Sequence, residues 1–189
     1  MKYGKSFLRK KSLLERKKKY LTVKKFNFNL IFNLIKKIFN KEKITIAGYY
    51  PSNYEVNILK FLEKAHKKKF KVVLPVIKHG NNMSFKSWVF KEPLYVNEYG
   101  ILEPSTLKKE IIPDFVMVPL VAFDNQLNRI GYGKGYYDRS LRKIRKNKKK
   151  TIFLGIAYSF QKCKRIPINK HDFKLDYIFT ERGIISSNK

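Results

Sequence analysis

The run Val118-Pro-Leu-Val-Ala-Phe-Asp-Asn-Gln-Leu-Asn-Arg-Ile-Gly-Tyr-Gly-Lys-Gly-Tyr-Tyr-Asp-Arg139 decides how this chain is read. It opens as an apolar strand, crosses a polar turn and three alternating glycines, Gly131, Gly133 and Gly135, and enters a helical stretch at Tyr136. Alternating glycines permit positive φ and let the backbone approach a ligand closely. Successive N–H groups then converge on an anion, and the following helix adds the positive end of its dipole. Lys134 puts a point charge inside the loop and Arg129 a second at its entrance. The spacing is not a P-loop, because no Ser or Thr follows Lys134, nor the dinucleotide fingerprint, whose third glycine comes one residue later. A lone G-x-G-x-G run serves equally well as a strand-to-helix turn with Tyr136 and Tyr137 in the core.

Outward from this run, apolar periodicity predicts helices over 5–19 and 26–40, the second carrying Leu30, Ile31, Leu34, Ile35 and Ile38 on one face. A strand over 44–50, a helix over 54–66 and a strand over 70–76 make a β-α-β unit. Residues 83–90 read as extended and 99–104 as part of a hairpin-like region. Strands follow over 114–121, 151–157 and 175–180, with a loop over 129–135 and a helix over 136–146 between the first two. Alternating strands and helices predict the α/β class: one three-layer α/β/α domain with a parallel or mixed central sheet. Its span is 1–189, with N-terminal helices about 5–40 and an α/β body about 44–181.

Composition agrees. A chain of 189 residues with 43% hydrophobic side chains closes one substantial core, and its single cysteine, Cys163, allows no internal disulfide and no multi-cysteine zinc site. The lysine-rich start lacks the apolar block of a secretory signal, and 26–39 is too short and too polar to span a bilayer, so a cytoplasmic protein is expected. The formal charge of +29 points toward nucleic acid or an anionic surface. Yet 35 of the 43 basic residues are lysine and only eight arginine, and Ile, Asn, Phe and Tyr abound, all with A/T-rich codons. Genome-wide base drift would produce that bias, a selected polyanion surface being the alternative, and the scattered lysines lack the clustered arginine forks of a specific nucleic-acid reader.

The segment from Val118 to Arg139 resembles the signature of the 5-formyltetrahydrofolate cyclo-ligase family, also called methenyltetrahydrofolate synthetase: V-P-G-L-A-F-D, a short turn, then R-L-G-x-G-x-G-Y-Y-D-R. Lys5-Ser-Phe-Leu-Arg9 is similar to the family's K-x-x-L-R, and Tyr49-Tyr-Pro-Ser-Asn-Tyr-Glu55 to its Y-x-P-x-x-x-E. Val73-Leu-Pro75, Met83-Ser-Phe85, Gly100-Ile-Leu-Glu-Pro104 and Ile166-Pro-Ile-Asn-Lys-His-Asp172 fall in the family's order. Two positions depart: Leu120 stands for the glycine after proline and Leu127 for the turn glycine before Arg129.

The resemblance implies the three-layer NagB/RpiA/CoA-transferase-like fold and an ATP- and Mg²⁺-dependent closure of 5-formyltetrahydrofolate to 5,10-methenyltetrahydrofolate. It implies an ATP cradle of Lys5, Arg9, Arg129, Ile130, Gly131, Tyr132, Gly133, Lys134, Gly135, Tyr136 and Tyr137, with Lys134 and Arg129 as the catalytic cations. Folate would lie on Tyr50, Glu55 and the shared stretch Tyr132, Gly133, Lys134, Gly135 and Tyr136, and Mg²⁺ on Asp138 and Asp172. Read without it, Asp138 is a first-turn helix carboxylate, Lys5 and Arg9 a solvated face, and Tyr50 a core residue. The expected partners are small molecules, with no specific nucleic acid and no membrane, and the expected state is a monomer or weak dimer. A lysine-rich nucleic-acid module, or a relative using the same loop on another substrate, are the rival readings.

Overall fold

The computed structural model describes residues 4–23, 25–40, 43–78 and 82–187. The ends of the expected 1–189 unit, residues 1–3 and 188–189, lie outside the described residues. In chain order the elements are α1 (Lys5–Lys19), α2 (Asn29–Phe39), β1 (Thr45–Ala47), α3 (Leu59–Lys67), β2 (Lys71–Lys78), β3 (Asn82–Ser87), β4 (Tyr95–Val96), β5 (Leu102–Glu103), β6 (Phe115–Pro119), β7 (Ala122–Phe123), β8 (Arg129–Ile130), α4 (Tyr136–Asn147), β9 (Ile152–Ile156), β10 (Tyr177–Thr180) and β11 (Gly183–Ser186). Single 3₁₀ turns follow α1 at Tyr20–Thr22 and β9 at Ser159–Gln161.

Seven strands form one sheet in the order β11-β10-β9-β6-β1-β2-β3. The inner five are parallel, and β3 and β11 close the edges antiparallel. The mixed alternative is therefore the correct one. Because strand side chains alternate between faces, apolar runs split neatly. Ile46, Val72, Leu74, Phe115, Met117, Leu154, Ile156 and Phe179 bury against α2 (Ile31, Ile35) and α3 (Phe61, Leu62, Ala65). Ala47, Val73, Val116, Val118, Phe153 and Ile178 bury against α4 (Leu141, Ile144). Both faces are thus covered, which is why these strands read as continuous hydrophobic runs.

Counted along the chain, the inner parallel strands lie in the order second, first, third, fourth, fifth. From β1 the chain leaves to α3 on one face, and from β6 to α4 on the other, so a crevice opens at their C-terminal ends. α1 lies across that end of the sheet, where Leu8 and Leu13 pack on a small third cluster of Val121, Ala122, Ile130 and Ile166.

Local chemistry shifted several expected boundaries. α3 begins at Leu59 rather than 54 because Asn53 (φ 47°) and Tyr54 (φ 62°) take left-handed conformations that no helix accepts. α2 begins at Asn29, after a turn in which Asn27 Oδ1 accepts from the Asn29 N–H at 3.2 Å. Residues 129 and 130 are not loop but strand, paired with β7 through Phe123↔Arg129 and Ala122↔Ile130. The buried Asp124 carboxylate closes that hairpin by accepting from the N–H groups of Gln126, Asn128 and Ile166, each at 3.0 Å. β11 lies beyond the last expected strand, returned by a turn in which Gly183 sits at φ 124°.

The two departures from the family signature have a visible cost and compensation. Leu127 occupies the left-handed region, φ 64°, where glycine is at home, yet its side chain is 1% exposed in the α4-side core. Leu120 is equally buried, and its Cδ2 lies 2.8 Å from where a Cβ on Gly155 would stand. Left-handed backbone costs a non-glycine residue about 1–2 kcal/mol, whereas removing a buried leucine costs about 3–5 kcal/mol. Burial wins, so Leu127→Gly is expected to destabilise the protein by about 1–4 kcal/mol in urea unfolding despite relieving the backbone. A stabilised variant would show that the backbone strain dominates.

Candidate functional site

Five segments meet at the crevice: the exit of β1, the exit of β6, the glycine loop, α1 and the turn over 169–173. The loop adopts positive φ at two of its three glycines, Gly133 (101°) and Gly135 (71°). A Cβ on Gly133 would lie 3.3 Å from Arg9 Cζ and one on Gly135 2.7 Å from Arg139 Nη1, so a side chain there is disfavoured by φ and would displace an arginine end. Gly135 is the N-cap of α4, with no side-chain cap among the described residues. The amide end of the helix therefore faces the loop without a capping side chain, with Asp138 in its first turn.

α1 clamps this loop from above. Arg9 Nε donates to Gly131 O at 2.8 Å, and Lys5 pairs with Asp172, whose Oδ2 also accepts from the Asn169 N–H at 2.6 Å. Lys5 and Arg9 are thus not a solvated helix face. Arg129, its side chain 3% exposed, donates to Asp138 Oδ1 at 2.7 Å, and the same oxygen accepts from the Phe173 N–H at 3.1 Å. Asp138 consequently ties loop, helix and the 169–173 turn together instead of capping its own helix. Ile130 is buried in β8 beneath the loop, and Tyr137 lies with its ring 5.9 Å from the Arg129 guanidinium.

The other wall comes from the strand exit after β1. Tyr49 is buried and donates from its hydroxyl to Val56 O at 2.8 Å, closing a turn that presents Glu55. Glu55 Oε2 accepts from the Ser52 N–H at 3.0 Å, and Oε1 accepts from the Tyr132 hydroxyl at 3.0 Å. Glycine loop and β1 exit are therefore in direct contact through one bond. Tyr50 is half-buried on the same strand exit. Burial raises the Glu55 carboxyl above its ordinary range, against the pull of the Ser52 N–H, Arg16 and Tyr132. Burial and then Glu55 push the Tyr132 phenol up to about 12 and raise those of Tyr49 and Tyr137.

Two residues here gave no signal in sequence reading. Arg16 of α1, 1% exposed, donates to Leu120 O at 3.2 Å and to the Tyr132 hydroxyl. Tyr99, on the β4–β5 hairpin, lies under Lys134, whose Nζ is 3.7 Å from its ring centroid, and its hydroxyl is 2.8 Å from that of Tyr136. Arg16 was hidden in a lysine-dense helix and Tyr99 in a polar hairpin. The signal that could have found Arg16 is arginine itself, at i+7 from Arg9 on one helix face. Trp88 and Phe85 belong to the core, Trp88 with its Nε1–H on Glu92 O at 3.1 Å.

Among the described residues four buried side-chain atoms have no hydrogen-bond partner: Ser84 Oγ on β3, and Arg16 Nε, Arg129 Nε and Tyr137 OH, which lie around Glu55 and the loop. Each such group costs about 1–3 kcal/mol of desolvation, a cost more readily carried where a ligand completes the bonding. No cluster of three or more potential metal-ligating side chains occurs among the described residues. None of their helices is long and apolar enough to cross a membrane.

A crevice at the switch point of a doubly wound sheet, floored by a glycine loop and lined by buried cations, defines an α/β enzyme acting on small molecules. The chain matches the model of the 5-formyltetrahydrofolate cyclo-ligase family over residues 1–181, and it belongs to that family. The 5-formyltetrahydrofolate cyclo-ligase of Haemophilus influenzae is 31% identical over 138 residues, covering 69% of this chain and 72% of its own. The NMR structure of 5,10-methenyltetrahydrofolate synthetase from Aquifex aeolicus is similar at TM-score 0.74 and 30% identity, over 98% of this chain and 93% of its own. The corresponding Mycoplasma pneumoniae structure gives TM-score 0.69 at 25% identity, over 95% and 99%.

The raised Glu55 carboxyl carries a sign that can be checked. Folded protein holds the Glu55 proton more tightly than unfolded chain, so this group's contribution to stability is full below the unfolded value and is lost as pH rises through the folded one. Glu55→Gln keeps one acceptor oxygen for the Ser52 N–H and turns its NH2 to the Tyr132 hydroxyl oxygen, so its melting temperature relative to wild type is expected to rise from pH 4 to pH 8. A relative melting temperature that rises on acidification would reverse the assignment.

Proposed function

We propose that the enzyme uses ATP and Mg²⁺ to close 5-formyltetrahydrofolate into 5,10-methenyltetrahydrofolate, releasing ADP and phosphate, as one domain working in the cytoplasm. The observation that carries this reading is the Tyr132–Glu55 bond at 3.0 Å, which joins an anion-binding loop to a carboxylate at the adjoining strand exit. Two ligands can therefore meet at residues 132–136.

In this scheme the formyl oxygen on N5 attacks the γ-phosphorus and ADP leaves. N10 then adds to the formyl carbon of the phosphorylated imidate and loses its proton, and the C–O bond breaks with phosphate as leaving group. No covalent enzyme intermediate is needed, so the protein contributes positioning and electrostatics. Gly131, Gly133, Gly135 and the α4 N-terminus would hold phosphate oxygens, with Lys134 and Arg129 offsetting the developing charge and Lys5 and Arg9 closing over the nucleotide. Lys134 rests on Tyr99 through a contact that a phosphate competes with readily, since a cation on an exposed ring gains only about 0.5–1 kcal/mol. Glu55 would accept paired N–H bonds from the pterin edge, with Tyr50 stacking beside it.

Asp138 and Asp172 suit Mg²⁺ in donor chemistry, because that ion takes one or two carboxylates and completes its shell with phosphate oxygens and water. Their segments are already joined, through the Phe173 N–H on Asp138 Oδ1. Each carboxylate is now held by a cation, Arg129 or Lys5, and these two cations are the ones the scheme turns toward phosphate. The ion would supply neutralisation of phosphate charge.

Purified protein with 5-formyltetrahydrofolate, ATP and Mg²⁺ should generate the near-ultraviolet band of the conjugated methenyl product. Lys134→Ala and Asp138→Asn should each slow it at least about tenfold, roughly 1.4 kcal/mol of transition-state stabilisation. Wild type that binds ATP and produces no such band would move the loop to another substrate.

A further inference from the structure

Arg16 is the least expected charge in the molecule. It sits on α1 with 1% exposure, and among the described residues no carboxylate lies within ion-pair distance of it. Its bonds are to one backbone carbonyl, Leu120 O at the exit of β6, and one phenol, the Tyr132 hydroxyl, over whose ring its Cζ stands at 5.6 Å. Nε has no partner. A guanidinium desolvated this far needs a nearby negative charge, and a structural arginine at a surface helix would find one directly.

The charge that answers it is one bond further on. The Tyr132 hydroxyl accepts from Arg16 Nη2 and donates to Glu55 Oε1. A phenol held from both sides has its single proton committed toward the carboxylate, so cation, hydroxyl and carboxylate form an ordered line from α1 across the glycine loop to the β1 exit. We propose that Arg16 is the positioning residue of the carboxylate end of this site: it fixes Tyr132 and supplies the counter-charge that keeps Glu55 ready to receive a ligand's paired N–H groups. The proposal rests on the cyclo-ligase reading for the identity of that ligand.

The groups facing Glu55 are consistent with it. Ser52 and Tyr49 approach from the β1 exit, Tyr132 from the loop, Tyr137 from α4, Tyr158 from the segment after β9, and Arg16 from α1. All but Arg16 are neutral at physiological pH, and burial works against the charged carboxylate. Without Arg16 the pocket would favour a protonated Glu55, which keeps only one of its two acceptor oxygens fully available.

The test compares Arg16→Met, which keeps bulk and removes charge, Arg16→Lys, which keeps charge and removes the fork, and Tyr132→Phe, which cuts the line while leaving Arg16 in place. Arg16→Met should raise KM for 5-formyltetrahydrofolate at least about tenfold, with ATP affinity changed less than about threefold, and move the acid limb of kcat/KM upward by about one pH unit. Arg16→Lys should leave that limb near wild type while KM lies between the two. Tyr132→Phe should reproduce the KM rise, which keeps the test open if Arg16→Met does not fold. Equal pH profiles for Met and Lys variants, or equal losses of ATP and folate binding, would reduce Arg16 to a packing residue. Carboxyl NMR titration, with Glu55 assigned through Glu55→Gln, reads the same shift without turnover. Failure of wild type to use folate would therefore overturn the reaction reading and leave the Arg16 inference to be judged by that titration.

Discussion

The site depends on one topological constraint: β1 and β6 are parallel neighbours whose chains leave toward opposite faces of the sheet. That divergence keeps the crossover helices α3 and α4 away from the strand ends, which is the opening in which open α/β sheets bind ligands, and here α1 lies across it. Everything functional is then a matter of what the two exits carry. The β1 exit carries Tyr49, Tyr50 and Glu55, and the β6 exit runs through a short hairpin pinned by Asp124 into the glycine loop. Packing on both faces fixes the sheet, so the two exits are held at a set separation and a single phenol can bridge them.

Electrostatics at this crevice follow a different logic from the surface. Most of the excess charge sits on exposed lysines, where screening leaves individual ion pairs worth little. Arginine, scarce in this composition, makes defined bonds: Arg9 on Gly131 O, Arg16 through two nitrogens on Leu120 O and Tyr132, Arg129 on Asp138, Arg139 on Lys134 O, and Arg145 through Nη2 on both oxygens of Asp176. At position 16 a lysine would lose the planar fork that serves two partners at once.

Much of this was legible in the sequence. The parallel core strands, the helices of both layers and the strand–glycine loop–helix passage follow from periodicity and glycine spacing, and the structure bears them out. What resisted reading was non-local or left-handed. The late start of α3 turns on positive φ at Asn53 and Tyr54, residues whose side chains do not announce it as glycine would. The β7–β8 hairpin is two residues a side and exists because a buried aspartate satisfies its turn, a contact no window of sequence displays. Arg16 and Tyr99 join the site through partners more than thirty positions away, Tyr132 and Tyr136, at separations of 116 and 37 residues. Burial of leucine at a left-handed position likewise needed the packed core to be understood.

The bonds that crown the crevice join the chain's first helix to its last third. Lys5 and Asp172 are 167 residues apart, and Arg9 and Gly131 are 122 apart. Closing a flexible loop of that length costs about 4–5 kcal/mol in chain entropy beyond a constant term, and only an already folded sheet reduces it. During synthesis the first helix therefore emerges long before its partners exist. It has a small apolar patch of its own to dock, Leu8 and Leu13, and that patch's seat, Val121, Ala122, Ile130 and Ile166, is also still unmade. The order of translation thus makes α1 one of the last pieces to be seated, and a chain stopped before residue 172 would keep the seat of Arg9 on Gly131 while lacking the Lys5–Asp172 pair.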